Sequence, residues 1–92
     1  MAIRRLELML QGDVQGIGLR HITKREAHKL NITGWIKNCS DDTVEIVAEG
    51  EYQDLKSLLS WYENGPKSSY VSEIEKNWAD SQDNLPEFEI RK

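Results

Sequence analysis

The chain has 92 residues, 38% of them hydrophobic and 30% charged, with a formal net charge of −4. That length excludes a second core, so residues 1–92 read as a single domain, and the composition excludes a disordered chain. The acidic balance excludes broad, sequence-independent nucleic-acid binding, which needs a basic footprint, while leaving room for one local positive site.

Residues 5–11 alternate: Leu6, Leu8 and Leu10 share one face and Arg5, Glu7 and Gln11 the other, the pattern of a half-buried strand. The next stretch carries three glycines, Gly12, Gly16 and Gly18, and runs into a helical pattern over 19–30. At about 100° per residue, Leu19, Ile22, Ala27 and Leu30 fall in one apolar arc. Glu26 falls in the same arc, which predicts a polar partner at the edge of the core rather than a catalytic role.

Residues 32–39 and 43–49 form two further strands joined by a turn at Ser40-Asp41-Asp42, a hairpin. Ile32, Gly34, Ile36 and Asn38 face one way in the first, and Val44, Ile46 and Ala48 one way in the second. Asp42 takes a turn position that suits glycine better, with backbone strain as the consequence. A second helix over 51–63 carries the stripe Tyr52, Leu55, Leu58, Leu59 and Tyr62 and stops at Gly65-Pro66, with Trp61 off the stripe as edge cover. Residues 69–78 alternate loosely through Ile74 and Trp78 as another strand, 79–86 read as a polar loop, and 88–90 as a short last strand. The order, βαββαβ plus the final strand, is a split βαβ pattern. It predicts an α+β two-layer sandwich, with two helices on one face of an antiparallel sheet and right-handed crossovers.

A single cysteine, Cys39, permits no internal disulfide and fits a reducing compartment. No run approaches the roughly 20 apolar residues that span a bilayer. The start, Met1-Ala2-Ile3-Arg4-Arg5, lacks the apolar stretch of a secretory signal. A cytoplasmic protein is expected.

The chemistry concentrates at residues 12–20. Glycines leave no side chain between an amide and a ligand, and first-turn amides of a helix lack intrahelical partners, so a glycine-rich loop entering a helix suits an anion. Arg20 adds a permanent cation with a planar fork of donors. Asn38 shares the parity of Ile36, so the loop, Arg20 and Asn38 converge if no bulge intervenes. Each also has an ordinary reading: a flexible connection, a solvated arginine, a turn asparagine. The loop is neither a Walker phosphate loop nor a dinucleotide fingerprint.

Taken together, Gly12-x-Val14-Gln15-Gly16-x-x-x-Arg20, Gly34-Trp35-Ile36-Lys37-Asn38 and Val44 followed by Gly50 resemble the acylphosphatase family. The likeness extends through Gly65-Pro66 to Phe88-Glu89-Ile90-Arg91. It implies a ferredoxin-like sandwich that hydrolyses the carboxyl–phosphate bond of small acyl phosphates to carboxylate and inorganic phosphate, with no metal and no cofactor. It implies that Arg20 binds the phosphoryl oxygens while the amides of Val14, Gln15, Gly16, Ile17, Gly18 and Leu19 complete the cradle. Asn38 would hold the attacking water. In this chain Leu19 stands where the family usually has phenylalanine, Asp42 replaces the usual turn glycine, and Cys39 follows Asn38.

Other residues read more simply. His21 and His28 lie on the polar side of the first helix as surface residues, and Cys39 as an unreactive thiol. Trp35 and Trp78 suggest sheet packing or edge cover ahead of a stacking platform. Glu49, Glu51, Glu73 and Glu75 read as a solvated face. The alternative function is a non-catalytic anion- or protein-binding module on the same fold. RNA binding, which the strand order also permits, needs aromatic and basic residues on the outward sheet face. Glu7, Glu45 and Glu49 stand there instead. The expectation is a monomer acting on a free small molecule, with no nucleic-acid or membrane partner.

Overall fold

A computed structural model describes residues 2–15, 18–39, 42–66 and 68–91. Gly16 and Ile17 of the expected cradle, and Ser40 and Asp41 of the hairpin turn, lie outside the described residues. The elements are β1 (Ile3–Gly12), α1 (Leu19–Lys29), β2 (Thr33–Asn38), β3 (Thr43–Glu51), α2 (Tyr52–Asn64), a short 3-10 turn (Ser68–Tyr70), β4 (Val71–Asp80) and β5 (Glu89–Arg91). The five strands form one sheet in the order β4-β1-β3-β2-β5. β1 pairs antiparallel with both β3 and β4, and β2 antiparallel with β3. β5 runs parallel to β2, so the sheet is mixed rather than wholly antiparallel. The chain enters β5 from the loop 81–88 at the same end from which it enters β2, and a parallel pairing is the result.

Alternation in β1 does what the sequence dictates. Leu6, Leu8 and Leu10 are buried on one face, together with Val44, Ile46, Ala48 and Ile36 from the neighbouring strands. α2 covers that face with Leu55, Leu58, Leu59 and Tyr62, while Tyr52, expected in the same stripe, is exposed and packs its ring 5.0 Å from that of Trp78. α1 contributes Leu19 and Ala27, with Ile22 and Leu30 only half-buried. The third buried residue of α1 is Thr23, a polar side chain that periodicity passes over. Its hydroxyl is hydrogen-bonded to that of Tyr62, so two buried polar groups satisfy each other and tie the helices together. Burial pushes the Tyr62 phenol well above its ordinary range, against the opposing Thr23 bond, so it stays a neutral hydroxyl. Glu26, half-buried, reaches Lys29 at 3.4 Å, the expected edge partner.

The helix ends follow from backbone geometry. α1 closes in a Schellman arrangement: Asn31 adopts φ 56°, its amide donates to His28 O (3.3 Å), and that of Ile32 donates to Ala27 O (2.9 Å). α2 stops at Gly65, whose φ of −85° is ordinary; glycine is required because a Cβ there would lie 2.3 Å from the Trp61 carbonyl oxygen. Gly34 in β2 has φ 140°, and its Cβ would fall 2.0 Å from Val47 O.

The other sheet face departs from expectation. Trp78 pairs with buried Leu6 and so lies on the helix side, whereas Trp35 pairs with Val47 on the open side. The two tryptophans cannot form one platform. Trp35 instead lies beneath two cations, Lys37 Nζ and the Arg91 guanidinium, 5.5 and 5.1 Å from its ring. Glu49 is not solvated but buried. Its carboxylate accepts from Arg5 Nη1 (3.1 Å), Ser81 Oγ (2.7 Å), Gln82 N (2.9 Å) and Asp83 N (3.1 Å), so the loop after β4 folds over it. β4 itself runs to Asp80, two residues into the stretch read as loop. Among the described residues no helix is long and apolar enough to cross a membrane.

Candidate functional site

The candidate site lies where β1 hands over to α1 and β2 to β3. Gly12 ends β1 with φ 134°, a value open to glycine, and a Cβ there would meet Tyr70 O at 2.5 Å. The amide of Gly12 donates to Asp42 O (3.2 Å) and that of Asp13 to Tyr70 O (2.9 Å), so the chain leaves the sheet tied on both sides. Val14 then turns into the core, with 1% exposure, and anchors the loop. Gly18, at φ 76° with open space where a Cβ would be, caps α1 with no side-chain acceptor. First-turn amides of α1 therefore have no side-chain cap from their N-cap residue, the arrangement that favours an anion.

Leu19 is buried and Arg20 follows it in the first turn of α1, half-buried. Among the described residues the Arg20 guanidinium has no hydrogen-bond or ion-pair partner, in contrast to Arg5, which binds Glu7 and Glu49. A guanidinium held near the protein surface with no carboxylate to neutralise it is available to a ligand anion.

Asn38 is the last residue of β2, paired with Val44. Its Oδ1 is buried and has no hydrogen-bond partner among the described residues. Buried polar atoms are as a rule satisfied, so an acceptor that the described residues leave unsatisfied at a strand end suits a donor such as a bound water. Cys39, half-buried, directs its thiol to Glu45 (4.0 Å), and its backbone amide donates to Thr43 O (2.7 Å), closing the turn. Asp42 has φ 58°, the left-handed conformation that the sequence predicted to be strained.

The loop and the strand end are joined by a contact that periodicity and motif reading passed over. The Gln15 side chain donates from Nε2 to Cys39 O at 2.7 Å and to Thr43 O at 3.0 Å. The sequence motif gave this residue a role only through its amide. Of the other residues weighed, His21 is exposed, and His28 contacts Phe88 O (3.1 Å) and Glu87 (3.9 Å) far from the loop along the chain. Among the described residues no group of three or more His, Cys, Asp and Glu is placed to hold a metal ion.

Comparison with known proteins finds relatives along nearly the whole chain. The family model described as Acylphosphatase matches residues 6–90. The acylphosphatase of Salinibacter ruber is 36% identical over 97% of this chain and 94% of its own length. That of Marinobacter nauticus is 45% identical over 80% of each. The crystal structure of the Bacillus subtilis acylphosphatase superposes with a TM-score of 0.88 at 34% identity, covering 97% of this chain and 99% of that one.

Proposed function

This chain belongs to the acylphosphatase family, and from that premise we propose a division of labour for hydrolysis of small acyl phosphates. Arg20 and the loop amides from Val14 to Leu19 hold the phosphoryl group, and Asn38 holds the water that attacks it. The water oxygen bonds to phosphorus, the bond to the carboxylate oxygen breaks, and the electron pair leaves with the carboxylate. The proton passes to an oxygen of the substrate's own phosphoryl group. A carboxylate is a good leaving group, so no protein acid is required. Phosphoryl transfer depends chiefly on positioning and on charge neutralisation, which arginine supplies without acting as a base. An asparagine amide is no base either, but its carbonyl oxygen accepts a hydrogen bond from water and so orients it.

The observation that carries the reading is the buried Oδ1 of Asn38, unpartnered among the described residues, at the strand end to which the loop is tied. A water donating to that atom would satisfy it. The Arg20 guanidinium, without a partner among the described residues, supports the other half. The same reading takes residues 1–92 as one domain and the protein as a cytoplasmic monomer, metal-independent, with no nucleic-acid or membrane partner. The carboxylates Glu7, Glu45 and Glu75 on the open face of the sheet disfavour a nucleic-acid partner there, against the opposite leaning of Trp35 beneath Lys37 and Arg91.

The test is hydrolysis of benzoyl phosphate with a chelator present. Arg20→Ala is expected to lower kcat/KM by roughly 10³-fold or more, and Asn38→Ala to lower kcat by about 10²-fold with little change in inhibition by inorganic phosphate. Full activity in Arg20→Ala would remove the anion clamp from the mechanism. Phosphate binding without turnover in the wild type would identify a non-catalytic anion-binding module.

A further inference from the structure

We propose that the side chain of Gln15 is a positioning residue for this hydrolysis, fixing the anion cradle against the strand end that carries Asn38. The proposal rests on the reading above, because it needs the loop as anion holder and Asn38 as water holder.

The geometry is specific. Both hydrogen bonds come from one amide nitrogen, at 2.7 and 3.0 Å, lengths at which each N–H is fully engaged. One acceptor, Cys39 O, belongs to the residue directly after Asn38. The other, Thr43 O, also receives the Cys39 amide, so Gln15 grips both ends of the turn that follows β2. Gly12, Asp13 and the buried Val14 side chain fix the start of the loop to Asp42, Tyr70 and the core. None of these hydrogen bonds reaches Cys39, the residue directly after Asn38. Gln15 does, from within the cradle.

Ordering a glutamine side chain costs rotamer entropy that offsets much of what two neutral hydrogen bonds contribute. The gain is one of geometry more than of stability. The phosphoryl group lies where the cradle puts it, the water where Asn38 puts it, and Gln15 sets the separation between the two. An error of about 1 Å in such a separation lowers a rate by up to about 10²-fold.

A double-mutant cycle separates this role from a structural one. The wild type, Gln15→Met, Asn38→Ala and the double variant are compared for kcat on benzoyl phosphate and for inhibition by inorganic phosphate. Methionine keeps the length of the side chain and removes the donor. Gln15→Met is expected to lower kcat by roughly ten- to a hundredfold while the inhibition constant of phosphate shifts by less than about threefold. In the Asn38→Ala background the same change is expected to alter kcat by less than about twofold, because the water it would position is no longer held. An equal loss in both backgrounds, or an unchanged kcat in Gln15→Met, overturns the proposal. If Gln15→Met does not fold, Gln15→Asn, which keeps the amide but is too short to span both carbonyls, carries the same expectations. A folded wild type without turnover would sink the functional reading itself, whereas an active wild type matched by Gln15→Met sinks only this role.

Discussion

At Gly34 two constraints meet on one residue. Its φ of 140° is unfavourable for any side chain, and the atom nearest to an added methyl would be a carbonyl oxygen of the adjacent strand at 2.0 Å. Backbone cannot step aside as a flexible side chain would. Gly34→Ala is expected to cost about 2–4 kcal/mol, combining the strained backbone angle with overpacking, and a urea melt would measure it. A midpoint unchanged from the wild type would mean that β2 and β3 separate freely. Asp42 is the opposite case: its φ of 58° is unfavourable for most residues but tolerated by aspartate, and the sequence predicted the place. The difference is legible because turn chemistry is local. The use of Gln15 was not legible, since its partners Cys39 and Thr43 are brought to it by the sheet rather than by neighbouring sequence.

Between elements, Glu49 is the joint. A carboxylate alternating with apolar residues on a strand reads as solvent-facing, and nothing adjacent to it predicts otherwise. Its four donors come from Arg5 on β1 and from 81–83, a loop that lies beyond β4. Burial alone would raise its pKa, but the Gln82 amide, the Ser81 hydroxyl, Arg5 and the Asp83 amide outweigh it and hold the carboxyl below its ordinary 4.5. Because the folded value is depressed, Glu49 contributes stability that is present above the unfolded pKa and lost as pH falls through the folded one. Glu49→Gln is expected to cost roughly 2–4 kcal/mol at neutral pH, since it leaves Arg5 and two backbone amides with a weaker partner. Its thermal midpoint should also fall less steeply on acidification below pH 4.5 than that of the wild type. Parallel acid profiles for the two proteins would show that the carboxylate is not the group that titrates. The Schellman close of α1 belongs with Glu49 among features that sequence pattern missed, because Asn31 reads as an ordinary loop residue until its φ is known.

For the molecule as a whole, hydrophobic spacing carried most of the architecture. The alternation of Leu6, Leu8 and Leu10, the hairpin and the α2 stripe are strong local signals, and they fix the two layers. The parallel attachment of β5 is not a local property; it depends on which edge the last segment reaches. Phe88, buried to 2% exposure, is the anchor that brings it there. Phe88→Ala is expected to cost about 3–5 kcal/mol and to lower the thermal midpoint by more than about 10 °C. A change of only a degree or two would mean that the last strand contributes little to the cooperative unit. The placement of β1 at the inside of the sheet has a kinetic corollary. Its two partners are remote in the chain: Arg4 pairs with Gly50 on one side and with Asp80 on the other. Neither ladder can form until a long intervening loop has been closed, and the entropy of closure is lost before the ladder returns anything. A chain so dominated by non-local pairings folds on the slow side of the range for its size, in milliseconds to seconds, and Leu6, Leu8 and Leu10 stay open to other chains throughout that interval.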